Sequence, residues 1–145
     1  YPGENSGSKY PNEQIDSLMK LLKFLKKKFK IKNDKILGHS DIAPFRKIDP
    51  GIHFPWKKLA ENSISLWVNE KKSSKNLSEA ENTDLLINLK KSFYPYIVSD
   101  FKNDKNKQII NSFHRHHLTK LLNKDPNKSS LLKTIDLLNL KKNID

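Results

Sequence analysis

The chain contains no cysteine, which removes disulfides, thiolate nucleophiles and cysteine-rich zinc sites together. His, Asp and Glu are left as its strong metal ligands. Arginine is almost missing as well: Arg46 and Arg115 are the only two among 28 basic residues. Lysine lacks the planar fork that suits bidentate recognition of guanine or phosphate. The net charge of +12 and pI near 9.8 therefore argue weakly for nucleic acid. They suit any anionic polymer, bacterial cell wall included. No run of about 18 apolar residues occurs, so no helix is expected to cross a bilayer.

What is present is a 145-residue chain with 35% hydrophobic and 30% charged residues, enough for one domain or two small ones. Its apolar positions are periodic, which argues against disorder. Below about 70–80 residues a single core is marginal, so two halves would have to lean on each other or on a metal. The chain opens on Tyr1, and its single methionine, Met19, falls inside a helical pattern, so residues upstream are expected.

Residues 1–10 hold Pro2, Gly3 and Gly7 among Asn and Ser and read as a loop. From Pro11 to Lys30, Ile15, Leu18, Met19, Leu22, Leu25 and Phe29 recur at steps of three and four, predicting an amphipathic helix. Glu13 and Asp16 near its start and Lys26, Lys27, Lys28 and Lys30 near its end complement the dipole, and the lysines read as a solvated face. Lys35–His39 is short and apolar enough for a buried strand that delivers His39 at its end. Prolines at 44, 50 and 55 predict an ordered loop over 40–56, followed by a helix from Pro55 to about Glu70. Polar residues 71–83 read as a linker. Three further helices are expected over Asp84–Phe93, Asp104 to about His117, and about Asn127 to Leu140.

The stretch with chemistry in it is Gly38-His39-Ser40-Asp41-Ile42-Ala43-Pro44-Phe45-Arg46-Lys47-Ile48-Asp49-Pro50-Gly51. If this loop folds back, the His39 imidazole and the Asp49 carboxylate can meet at one zinc ion. Lys47, two residues before Asp49, shares a face with it in extended backbone. An ammonium there could stabilise an oxyanion formed on amide hydrolysis. On spacing alone, however, a hydrogen-bonded core histidine is the better reading of His39.

The string GHSDIAPFRKIDPGIHFPW resembles the signature of zinc-dependent N-acetylmuramoyl-L-alanine amidases of the type-2 family, whose fold is that of peptidoglycan recognition proteins. The resemblance implies that His39 and Asp49 are zinc ligands, that Lys47 is the catalytic basic residue, and that the substrate is peptidoglycan or its muropeptides. Phe113-His114-Arg115-His116 is similar to a segment of the helical wall-binding module appended to the envelope branch of that family. The implied fold is a truncated α/β domain, helix-dominated with one or two strands remaining, plus a small three-helix bundle. Residues 1–70 would be the later part of the catalytic domain, 71–83 the linker and 84–145 the wall-binding module. The family's third ligand, a histidine on an early strand, and its glutamate closing a Gly-Ile-Glu strand have no counterpart here. A separate N-terminal half is the partner this implies. The resemblance further implies a bacterial periplasm or outer membrane, with the cytoplasm as alternative.

Arg46 and His53 are candidate substrate contacts. Asp41 reads as a turn cap, or as a carboxylate that orients His39 from behind. His114, His116 and His117 share one helical turn, but surface and packing roles are favoured over a second metal site. Phe54 and Trp56 read as loop anchors. Two rival functions remain: a non-catalytic peptidoglycan-binding remnant, and, least supported, a basic nucleic-acid-binding bundle.

Overall fold

The computed structural model describes residues 7–144; the first six residues of the expected 1–10 loop lie outside the described residues. Six α-helices follow one another: α1 (Asn12–Phe29), α2 (His39–Ile42), α3 (Trp56–Glu61), α4 (Glu79–Ser92), α5 (Asp104–His117) and α6 (Lys128–Lys142), with short 3₁₀ turns at Asn33–Lys35 and Thr119–Leu121. Helix α1 closes at Lys30, whose backbone is left-handed at φ 54° and whose N–H returns to the Lys26 carbonyl. Not all of its lysines face solvent. Lys26 turns inward and donates to the Ser63 carbonyl at 2.6 Å, tying α1 to the end of α3.

The expected α/β character is overturned, because the described residues contain no strand. At the predicted strand, Asn33–Lys35 is a 3₁₀ turn, Ile36 and Gly38 are extended, and His39 already begins α2. Extended backbone becomes a strand only when a neighbour takes up its N–H and C=O groups, and none lies alongside here. The helix expected to reach about Glu70 stops at Glu61. Ser63 is left-handed at φ 59° and the Ile64 N–H turns back to the Leu59 carbonyl, so the chain leaves the helix axis. At the far end of the polar stretch, Ser78 and Glu81 form a capping box, and α4 begins at Glu79.

Two apolar clusters result. Ile15, Trp56, Leu59 and Ile64 form the smaller one under α1 and α3. The larger gathers Leu85, Leu86, Leu89, Tyr94, Ile109, Ile110, Phe113, Leu131 and Leu137 from the later helices, and it also takes Leu66. The chain thus passes from one cluster to the other between Ile64 and Leu66. Burying each such aliphatic side chain contributes about 1.5–3 kcal/mol.

Polar contacts then lock the two clusters together. Asp41, fully buried, accepts from the Gly38 N–H at 2.8 Å, the Tyr94 hydroxyl at 2.6 Å and His116 Nδ1 at 2.7 Å. Ser112 donates to the Ser40 carbonyl at 2.5 Å. Burial alone would raise the Asp41 pKa, but the His116 charge and the hydrogen bonds from His116, Tyr94 and Gly38 outweigh it and hold the carboxyl below its ordinary range. Burial, with Asp41 beside it, pushes the Tyr94 phenol well above its usual value. Behind this hub, the Trp56, His116 and His117 rings are stacked, with centroids 3.8 Å apart at both steps. Lys133, buried, sits 3.8 Å above the Trp67 ring and donates to the Val68 carbonyl, and burial lowers its pKa to about 8.

His114 is held neutral: Nδ1 lies 3.0 Å from the Leu121 carbonyl, Nε2 lies 2.9 Å from the Ser130 hydroxyl, and burial pushes its pKa down to about 4. Burial, reinforced by His116 and Lys133, also drives His117 well below its usual value.

Two predictions follow from these contacts. Tyr94→Phe removes one donor from a buried carboxylate and should cost about 1–3 kcal/mol, measured by urea denaturation at pH 7. For pH, the unfolded chain binds a proton at His114 below about pH 6.5 while the folded chain binds it only near pH 4. Stability should therefore fall as pH drops through that window, with His117 acting in the same sense. Melting followed by circular dichroism at pH 7, 5.5 and 4.5 should show the decline, and His114→Gln should lessen it.

Candidate active site

The loop from Gly38 to Gly51 is closed on itself by backbone contacts. The Ser40 N–H donates to the Asp49 carbonyl at 2.9 Å, joining the two ends of the stretch that carries the candidate ligands. The Arg46 and Lys47 N–H groups both return to the Ala43 carbonyl, at 3.1 and 3.0 Å, forming the turn between them. The Asp49-Pro50 peptide is cis, and Gly51 takes φ 77°, a conformation that favours glycine. From outside, the Tyr10 hydroxyl donates to the Pro50 carbonyl at 2.8 Å, and its ring meets Phe54 edge-on.

Gly38 shows how tightly the loop is folded. A Cβ at this position would stand 2.7 Å from Pro50 Cδ and 3.2 Å from both Asp41 Oδ2 and Trp56 Cζ2. Only a residue without a side chain lets the start and end of the loop approach this closely.

That approach brings His39 and Asp49 together. Nδ1 of His39 and Oδ2 of Asp49 are 3.1 Å apart, and both side chains are substantially exposed, at 44% and 51%. Zinc bonds to nitrogen and oxygen are about 2.0–2.2 Å long, which places neighbouring tetrahedral ligand atoms about 3.3 Å apart. An imidazole nitrogen and a carboxylate oxygen at this separation fit two positions on one ion. Among the described residues they are joined by no third His, Cys, Asp or Glu.

Among the described residues, no hydrogen bond or ion pair joins the side chains of the other candidates to this pair. Lys47 is half-buried and held two residues before Asp49, while Arg46 is exposed on the same turn. His53 lines a cavity of about 360 Å³ with Tyr10, Asn12, Ile15 and Lys58, whose lining includes neither His39 nor Asp49. Asp41 caps α2 through the Gly38 N–H and turns its other contacts toward Tyr94 and His116. The histidine cluster of α5 is internal: His114 satisfies both nitrogens, His116 stacks on Trp56, and His117 stacks on His116. Tyr94, Ser112 and His116, which brace the loop from behind, carry no local motif that would have marked them.

Comparison with known proteins bears on this loop directly. Residues 2–52 match the family model described as N-acetylmuramoyl-L-alanine amidase. N-acetylmuramoyl-L-alanine amidase AmiD of Escherichia coli is 43% identical over 68 residues, 44% of this chain and 25% of that protein. The 1,6-anhydro-N-acetylmuramyl-L-alanine amidase AmpD of Haemophilus influenzae is 44% identical over 50 residues, 34% of this chain and 27% of that protein. Each match thus spans about a quarter of the curated relative. In three dimensions the likeness runs further: the structure of E. coli AmiD in complex with the substrate anhydro-N-acetylmuramic acid-L-Ala-D-gamma-Glu-L-Lys aligns with 99% of this chain and 60% of its own, at TM-score 0.84 and 25% identity. Family match, curated relatives and solved structure all liken this chain to N-acetylmuramoyl-L-alanine amidases, and the family match takes in the His39–Asp49 loop.

Proposed function

We propose that this chain is the later part of a zinc-dependent amidase that hydrolyses the bond between N-acetylmuramic acid and L-alanine in peptidoglycan or its muropeptides. The observation that carries the reading is the 3.1 Å approach of His39 to Asp49 inside the segment that matches the amidase family. His39 and Asp49 hold the ion. Zinc, when bound, polarises the scissile carbonyl and makes water acidic enough to attack at neutral pH. Lys47, two residues before Asp49 in the chain, offers an ammonium to the oxyanion that develops on the substrate carbonyl. Arg46 and His53 contact the anionic stem peptide. Residues 1–70 form the catalytic part and 84–145 the wall-binding module, in a bacterial periplasm or outer membrane.

A catalytic zinc site uses three protein ligands and one open position, so a partner segment supplies the third ligand and the base that takes the water's proton. Helix α1 supports such a partner. Leu21, Phe24 and Phe29 are 52%, 59% and 61% exposed along it, an apolar face outside both clusters. The AmiD structure also contains chain that has no counterpart here, since only 60% of it is matched. The two-ligand set favours one rival, a non-catalytic wall-binding protein.

Two measurements test the proposal. Zinc affinity, by titration calorimetry, should fall at least about 10-fold in His39→Ala and in Asp49→Ala; unchanged affinity would remove the metal site. Co-expressed with its upstream coding region, the chain should release stem peptides from purified wall. Lys47→Met should keep zinc and slow release by about 10²–10³-fold, as loss of one oxyanion donor does elsewhere. Sedimentation with wall but no release in any preparation would favour the non-catalytic rival.

A further inference from the structure

The candidate loop carries an aromatic surface that neither the metal pair nor Lys47 uses. Phe45 is 46% exposed on the turn just before Arg46, and Tyr96 from the later half is 50% exposed. Their ring centroids are 6.4 Å apart at an interplanar angle of 64°. Ile42 and Ile48, on the same loop, are also largely exposed. Exposed apolar side chains on a loop mark a binding face more often than a packing fault.

The backbone on either side of both rings is fixed. Tyr94, two residues before Tyr96, is anchored by its hydroxyl to buried Asp41. Two residues after Tyr96, the Val98 N–H donates to the buried Asn106 side chain at 3.0 Å, and that side chain's amide donates back to the Val98 carbonyl at 2.8 Å and to the Asp100 carbonyl at 2.7 Å. Phe45 is held within the turn closed by the Arg46 and Lys47 N–H groups on the Ala43 carbonyl. The backbone that carries the two aromatic groups is thus held by separate halves of the chain, which lowers the entropy lost when a ligand binds.

We propose that Phe45 and Tyr96 form a saccharide platform, on which a pyranose ring of the wall glycan rests while its peptide arm reaches the His39–Asp49 pair; the inference rests on the amidase reading above. An aromatic face carries negative quadrupolar charge, and the C–H-rich face of a pyranose presents weakly positive hydrogens to it. The Tyr96 hydroxyl adds a donor and acceptor for sugar hydroxyls. Arg46 and Lys47, next along the turn, match the carboxylates of a stem peptide. A sugar therefore suits the aromatic pair, and an anionic peptide suits the two cationic residues that follow Phe45 in the chain.

The test uses the full chain and two probes: peptide-free glycan strands prepared from bacterial wall, and free L-Ala-D-γ-Glu-L-Lys. By calorimetry, Phe45→Ala and Tyr96→Ala should each weaken glycan binding at least fivefold, while Tyr96→Phe stays within about threefold and tripeptide binding is unchanged. Circular dichroism melts confirm that the exposed substitutions leave the fold intact. Native-like glycan affinity in both alanine variants, no glycan binding by the native chain, or weakening confined to the tripeptide would overturn the platform. Zinc binding and amide cleavage are scored separately. If both fail while Tyr96→Ala still weakens glycan binding, the amidase reading falls and the saccharide surface stands. If both hold while glycan affinity ignores these residues, the platform alone falls.

Discussion

Asp41 is buried to 1% exposure, and a carboxylate in that position is tolerable only when donors surround it. Its three donors come from three places in the chain: the backbone just before α2, the end of α4 and the end of α5. One charge therefore sets the angle at which the later helices meet the candidate loop. Leaving a buried polar group without one of its hydrogen-bond partners typically costs about 1–3 kcal/mol, and more for a charged group. His39 lies two residues before this point, so the candidate metal pair inherits its position from a contact with helices that follow far along the sequence.

The surrounding structure shields the hub rather than competing with it. Trp56 covers His116, His117 continues the stack, and Phe113 packs beside His117 with centroids 5.0 Å apart. Lys133 closes the far side by laying its ammonium over Trp67, a cation–π contact that strengthens when water is excluded. The polar groups that join the two apolar clusters are thus enclosed by rings contributed from both.

Much of the helical pattern was legible because it is local. The three-and-four spacing of α1 and the apolar positions of α4, α5 and α6 lie within single turns of one another, although Phe29, on the expected stripe of α1, stays 61% exposed. The Ser78–Glu81 capping box was equally local, but polar composition around it suggested linker. The strand at 35–39 and the long helix after Pro55 failed for a different reason: extended backbone needs a partner, and Ile64 kept helical spacing while Ser63 turned the chain aside. At the site, the motif pointed to His39, Asp49 and Lys47, and the structure joins the first two. Tyr94 and His116 could not be foreseen, because they reach Asp41 across 53 and 75 residues, a separation over which residue type and spacing say nothing.

The open face of α1 gives the large positive charge a colloidal role. Leu21, Phe24 and Phe29 would pair copy to copy if nothing kept molecules apart. Lys28 leans over both phenylalanine rings, at 5.7 and 5.4 Å, and the net charge of +12 makes identical molecules repel. At physiological ionic strength the field of these lysines reaches only about 8 Å, and within that range the same charge that repels a second copy attracts a ligand or partner of opposite sign. Mutual avoidance among like copies and access for an acidic partner thus come from the same excess of lysine.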